Sequence, residues 1–234
     1  MTAQGLFIAG TDTGAGKTRV TCGLLGALAA AGRPAIGMKP VATGAKGQED
    51  DLLSEDAAMI AASSPQHAPM SDVNPYCFHL PVSPDIAAAL AGVAIEPERV
   101  AAACRRLAAR AEIVLVEGTG GWLTPIGPGL TMADIAATLG LPVLLVVGLK
   151  LGCINHALLT AAAIRARGCS IAGWVGNRID PDYLLPEANL ATLQRFLGAP
   201  PLAVLAHAPP RAAASELTIA AARLFGAESP SSQI

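Results

Sequence analysis

A lysine and a threonine stand directly after a glycine, Gly16-Lys17-Thr18, where a polar loop gives way to an apolar stretch. This combination suits the binding of a nucleoside triphosphate. The N–H groups of Gly14, Ala15, Gly16 and the residues that follow, Lys17, Thr18 and Arg19, can curl around phosphate oxygens. Lys17 can reach the outer phosphates, and the Thr18 hydroxyl can hold Mg²⁺. Glycines let the backbone come that close. The commonest form of this loop has a glycine at the position held here by Thr11, and the nearest glycine is Gly10, so the loop is one residue longer. A second chemical group follows the apolar run Ile113 to Val116, which ends in Glu117 and then Gly118, Thr119, Gly120 and Gly121. A carboxylate placed there can sit near Mg²⁺ or order its water shell.

These residues need a frame. The chain alternates short apolar runs with longer amphipathic or alanine-rich ones. Strands are expected at Leu6 to Ala9, Pro34 to Met38, Ile113 to Val116, Val143 to Val147, Ile171 to Val175 and Leu202 to Leu205. Helices are expected over Cys22 to Ala31, Ala57 to Ser63, Asp85 to Ala91, Pro97 to Arg110, Thr131 to Leu139, Ile154 to Ala166 and Pro186 to Leu197. The stretch from Ser64 to Pro84 holds five prolines and reads as a long irregular connection, and Gly118 to Gly129 reads as a loop. Such alternation implies an α/β fold: a doubly wound, mainly parallel sheet with helices on both faces, of the phosphate-loop NTPase kind. In open parallel sheets, ligands bind beyond the carboxyl ends of the strands. Lys39, Glu117, Lys150 and Asn177 all follow strands and are therefore candidates.

At 234 residues, the reading is one domain over residues 1–227 with a polar tail over 228–234. Apolar residues make up 52% and charged ones 15%, which predicts helices of small residues on Val, Ile and Leu strands. A net charge of -2 makes no case for a nucleic-acid partner. Cys22, Cys77, Cys104, Cys153 and Cys169 form no C-x-x-C pair and suit free thiols in a reducing compartment. The most apolar run, Leu141 to Leu149, is too short to cross a bilayer, and the N-terminus shows no signal-peptide pattern, so a cytoplasmic protein is expected.

The segments GTDTGAGKT, KPVATG, NPYCF, SPDIA, VEGTGGW, LPVLLVVGLKLGCINHALLT and AGWVGN occur in an order and spacing that resemble the dethiobiotin synthetases, over roughly Leu6 to Arg178. The resemblance implies a homodimeric enzyme that joins CO₂ to 7,8-diaminopelargonic acid with ATP and Mg²⁺, giving dethiobiotin, ADP and phosphate. It implies catalytic roles for Lys17, Lys39 and Thr13, and substrate contacts for Lys39 and Thr43. The metal would be held by Thr18, Glu117 and one acid among Glu49, Asp50, Asp51, Glu55 and Asp56. The register of Ala57 onward favours Asp56, with Asp51 in reserve. Gly118, Thr119, Gly120, Asn177 and Arg178 would complete the nucleotide site, Asn177 by reading adenine; the same asparagine could simply close a turn. Gly152, Cys153, Ile154 and Asn155 open a helix that would receive the substrate carboxylate across the dimer interface, although Asn155 also fits a helix cap. His156, next in that helix, reads as a packing or polar-face residue.

Two departures from the family pattern bear on base selectivity. Gly14 stands where some relatives have glutamate, and Ala206 stands where a proline is expected. The alternative reading is an ATPase switch of the partitioning or division-site type, which shares the fold. Asp12 stands at the position of that group's signature lysine and cannot supply its charge.

Overall fold

A computed structural model describes residues 4–47, 52–207 and 214–226. Among them, six strands form one parallel sheet. The central strand β1 (Gln4–Gly10) pairs with β5 (Ile113–Gly121) on one side and β8 (Val143–Leu149) on the other. Beyond β5 lies β2 (Ala35–Met38), and beyond β8 lie β9 (Ile171–Arg178) and then β10 (Ala203–Leu205). Every residue of β8 is buried, as expected of a strand covered on both faces. Side chains alternate between the faces. Leu6, Ile8, Leu115, Leu144 and Val146 face one core, shared with Leu24, Leu25 and Leu28 of α1 (Lys17–Ala30) and Ile60 of α2 (Glu55–Ser63). Phe7, Val114, Val116, Leu145 and Val147 face the other core. That second core is covered by α5 (Pro97–Ala108), α6 (Met132–Leu139), α7 (Cys153–Ala166) and α8 (Pro186–Leu197).

The expected helices and strands are present, but α1 begins at Lys17 rather than Cys22, and there are three further differences. The connection from Ser64 to Pro84 is not wholly irregular: it contains α3 (Met70–Val73) and β4 (Tyr76–Cys77), the latter paired in parallel with β3 (Val41–Ala42). That small ladder ties the chain after β2 to the segment leading into α4 (Pro84–Leu90). The strand ending in Glu117 continues to Gly121, with Gly10 opposite Gly121 after an irregularity in β1. The rest of the expected loop forms a hairpin of β6 (Pro125–Gly127) and β7 (Leu130–Thr131). Last, α9 (Ala214–Phe225) follows β10 and packs on α1 through Leu217, Ala220, Ala221 and Phe225. The five cysteines are free, and the polar tail lies outside the described residues.

The start of α6 yields a stability prediction. Asp134 accepts hydrogen bonds from the Thr131 N–H at 2.7 Å and the Thr131 hydroxyl at 3.0 Å, and pairs with Arg167 at 2.5 Å. Burial alone would raise this carboxyl, but those bonds outweigh it and hold the group below its usual value of 3.8. A depressed carboxylate stabilises the fold above its unfolded value and loses that contribution as pH falls through the folded value. Asp134→Ala is expected to cost about 1 kcal/mol at neutral pH, the size of a lost helix cap. Urea titrations from neutral pH down into the acid range should show the gap closing; a gap that held constant would mean the carboxylate is not the cause.

Candidate active site

The phosphate loop lies at the carboxyl end of β1. Gly16 is the N-cap of α1 at φ 93°, and any side chain there would overlap the Asn177 amide. Gly14, at φ 77° with open space around it, is required by conformation rather than crowding. Gly10 lies under Lys17, whose Nζ would stand 3.0 Å from a Cβ at that position. Lys17 Nζ donates to the carbonyl oxygens of Asp12 at 3.1 Å and Gly120 at 2.6 Å. Burial, then the charge of Lys39, lowers the Lys17 ammonium to about 8, with the nearby carboxylates offsetting part of the shift.

Two groups converge on Glu117, which is fully buried. The Thr18 hydroxyl donates to its Oε1 at 2.8 Å, and Lys39 Nζ donates to the same oxygen at 2.7 Å. Lys39 also pairs with Asp56 at 2.9 Å. The ammonium is buried, which by itself would lower its pKa, yet the two carboxylates outweigh that and raise it. Asp56 is held below the usual aspartate value: burial opposes this, and Lys39 supplies the largest compensation. Lys39 is placed by a contact that sequence reading did not weigh. Asn74 donates its amide to the Lys39 carbonyl at 2.7 Å and to the Tyr76 carbonyl at 3.0 Å. The NPYCF segment thereby holds the end of β2.

A cleft of about 750 Å³ brings together Thr13, Gly14, Gly16, Lys17, Thr18, Lys39, Thr43, Asp56, Glu117, Thr119 and Gly120. Ser83, Pro84, Thr124 and Pro125 line it as well. No charge pattern announces these four, although Ser83 and Pro84 begin the SPDIA segment. Thr119 donates its hydroxyl to the Val41 carbonyl and so joins β5 to β3. Gly118 faces the core instead: a Cβ there would stand 3.0 Å from Phe7 Cζ. Asp51 lies outside the described residues.

The donor set fits a nucleoside triphosphate and a hard cation. Glu117 Oε2 is buried with no partner, and a buried carboxylate oxygen without a donor is costly unless a ligand serves it. Thr18, Glu117 and Asp56 all offer oxygens to the same cleft. The Lys39 ammonium lies between the two acids, where it balances their charge.

The other expected residues lie away from this cleft. Arg19 is buried behind the loop, as is Asn177, which donates to the Ala15 carbonyl at 3.0 Å and accepts from Arg19 at 3.0 Å. Arg178 pairs with Glu187 at 2.5 Å. Gly152, at φ 92°, caps α7; Asn155 is therefore not the cap but an exposed residue of its first turn, beside buried Cys153 and half-buried Ile154.

An AAA domain family model matches residues 4–216. The ATP-dependent dethiobiotin synthetase BioD of Aromatoleum aromaticum is 52% identical over 201 residues, covering 86% of this chain and 89% of that protein. The protein of the same name from Nitrosospira multiformis is 46% identical over 204 residues, covering 87% and 88%. The chain belongs to the ATP-dependent dethiobiotin synthetase family. Among solved structures, the septum site-determining protein MinD of Pyrococcus horikoshii superposes with a TM-score of 0.60 at 20% identity, covering 96% of each chain. That likeness concerns the fold alone, which the dethiobiotin synthetase family therefore shares with the division-site ATPases. In this dethiobiotin synthetase family member, Asp12 Oδ2 lies 3.7 Å from Lys150 Nζ, an exposed pair that water largely screens.

Proposed function

We propose that this chain is a cytoplasmic, homodimeric dethiobiotin synthetase that uses ATP and Mg²⁺ to carboxylate and cyclise 7,8-diaminopelargonic acid. The observation that supports it most directly is the meeting of Lys17, Lys39, Thr18 and Glu117 in one cleft of a family member. CO₂ adds to one amine as a carbamate with loss of a proton. The γ-phosphoryl group of ATP passes to a carbamate oxygen and ADP departs. The second amine then attacks the carbonyl, expelling phosphate and closing the cyclic urea.

Negative charge is present or growing at each stage, so fixed cations and donors supply much of the rate. Lys17 neutralises the phosphoryl group in transfer. Lys39 stands where carbamate and γ-phosphate meet, while Thr13 and Thr43, which line the same cleft, donate hydroxyls. Thr18, Glu117 and Asp56 would hold Mg²⁺, which supplies charge neutralisation at the phosphates. Gly14 to Thr18, with Thr119 and Gly120, form the phosphate side of the nucleotide site, and Asn177 with Arg178 forms the base side. Gly152 to Asn155 at the start of α7 would take the substrate carboxylate held by a partner subunit. Exposed Leu151, in the turn before α7, and exposed Leu159 on that helix suit a surface that a second copy covers.

Purified protein given diaminopelargonate, bicarbonate, Mg²⁺ and ATP should form dethiobiotin, detected by mass. Hydrolysis of ATP without that product would refute the assignment. Chelation should abolish turnover. Glu117→Gln should raise the Mg²⁺ concentration for half-maximal rate by about tenfold or more, the effect of losing one charged oxygen ligand. An unshifted Mg²⁺ dependence would remove Glu117 from the metal set.

A further inference from the structure

We infer that Arg19 is a positioning residue for base recognition: it fixes the direction of the Asn177 amide and ties the segment after β10 to the phosphate-loop helix, biasing the protein toward adenine over guanine nucleotides. The inference rests on the reading that Asn177 meets the base.

Arg19 is 5% exposed and stands one residue after Thr18, yet it points away from the phosphate cleft. Its Nη1 donates to Asn177 Oδ1 at 3.0 Å and to the Ala206 carbonyl at 2.6 Å. Its Nη2 pairs with Glu216 Oε2 at 3.0 Å, and Glu216 Oε1 accepts from the Ala206 N–H at 3.0 Å. One side chain thus connects α1, the ends of β9 and β10, and the first turn of α9. An Ala206→Pro change would remove the N–H that closes this ring, which accounts physically for a non-proline residue here.

The network has a directional consequence. A guanidinium only donates, so the Asn177 atom facing it must be the carbonyl oxygen; the Ala15 carbonyl only accepts, so the Asn177 NH₂ must face the loop. Neither end can flip without two like groups meeting. Each end keeps capacity for one further bond, an acceptor on oxygen and a donor on nitrogen. That pair complements an amino group beside a ring nitrogen, as adenine presents. Presented on the same N7 edge, guanine does not complement it, because O6 and N7 both accept; guanine would have to turn another edge toward Asn177.

The position is also an expensive one if stability were its only purpose. Arg19 Nε is buried without a partner, and an apolar side chain would fill the α1–α9 interface without burying a charge.

The test compares Arg19→Met, Arg19→Lys and Asn177→Ala in the full chain, measuring kcat and KM with ATP and GTP and the Kd of ADP and GDP by calorimetry. Arg19→Met should lower the adenine-to-guanine ratio about tenfold, with the loss in KM and Kd for adenine nucleotides rather than in kcat, and Arg19→Lys should recover part of it. Asn177→Ala should lower the ratio at least as far. If Asn177→Ala collapses the ratio and Arg19→Met leaves it intact, Arg19 has no positioning role. If neither changes it, Asn177 does not read the base, and both the reading and the inference fail. A drop in melting temperature with an unchanged ratio would make Arg19 purely structural. Should Arg19→Met fail to fold, Glu216→Gln retains the guanidinium while loosening its clasp; it should shift the ratio in the same direction, and no shift would overturn the inference.

Discussion

Lys39→Met should reduce single-turnover formation of dethiobiotin by about 10²–10³, the usual loss when one preorganised charge-stabilising donor is removed. Nucleotide binding should survive, since Lys17 and the loop N–H groups remain. The structure adds a second effect. Lys39 is the counter-ion of Glu117, which is 0% exposed, and of Asp56. Removing one partner of a buried ion pair typically costs about 3–5 kcal/mol, because the other charge stays buried and uncompensated. Lys39→Met should therefore be less stable toward urea by about that amount, and Mg²⁺ should restore part of the loss by serving the acids directly. The double variant Lys39→Met, Glu117→Gln should recover stability without recovering the rate. A Lys39→Met protein with a near-normal single-turnover rate would refute the catalytic role. One with wild-type stability would show that the ion pair is not coupled to the fold.

Lys17→Met is expected to act on the ground state instead, weakening ATP binding by about 10²-fold, the equivalent of two charge-assisted hydrogen bonds to phosphate. Its ammonium titrates at about 8, because burial and then Lys39 lower it. Below that value the group is already charged. Above it, phosphate binding must restore a proton, so ATP association should take up a fraction of a proton at pH 8 to 9. In calorimetry the apparent enthalpy should then depend on the ionisation enthalpy of the buffer, and the dependence should fade below about pH 7. For folding the slope has the same sign as for Asp134, since in both cases the unfolded chain binds more protons and stability rises with pH, although here the charged form is the one disfavoured. A lysine lowered from 10.5 destabilises the charged folded state, and the cost is relieved as pH rises from about 8 toward 10.5. Lys17→Met should lose both the proton uptake and the affinity. Loss of affinity with unchanged uptake would place the titrating group elsewhere.

The sequence by itself determined the parts of this protein that local chemistry specifies. Continuous apolar runs such as Val143 to Val147 had to be doubly covered strands, and Gly16-Lys17-Thr18, where the turn after β1 enters α1, pointed to a phosphate loop, because backbone reach and helix polarity are properties of neighbours in the chain. The ordered segments from GTDTGAGKT to AGWVGN were enough to indicate the family, which identity of 52% to a dethiobiotin synthetase supports. The candidates Lys39, Asp56 and Glu117 were also legible, each beside its own element. What they do to one another was not. That Lys39 joins Asp56 to Glu117, and that Glu117 keeps one orphaned oxygen, depends on the ends of β2 and β5 meeting the start of α2.

Asn74 shows the same limit: nothing in NPYCF says that its amide reaches the Lys39 carbonyl 35 positions away. The glycine-rich stretch after Glu117 looked like a loop because glycine has weak strand propensity, yet pairing beside β1 carries it on to Gly121. Arg19 is the clearest case. By position it belongs with the phosphate-binding residues, but its direction is set by an acid on α9, a helix that was not among those expected from the sequence and that packs on α1 through Leu217, Ala220, Ala221 and Phe225. A buried guanidinium needs a carboxylate, and only the packing of α9 on α1 decides which one it meets.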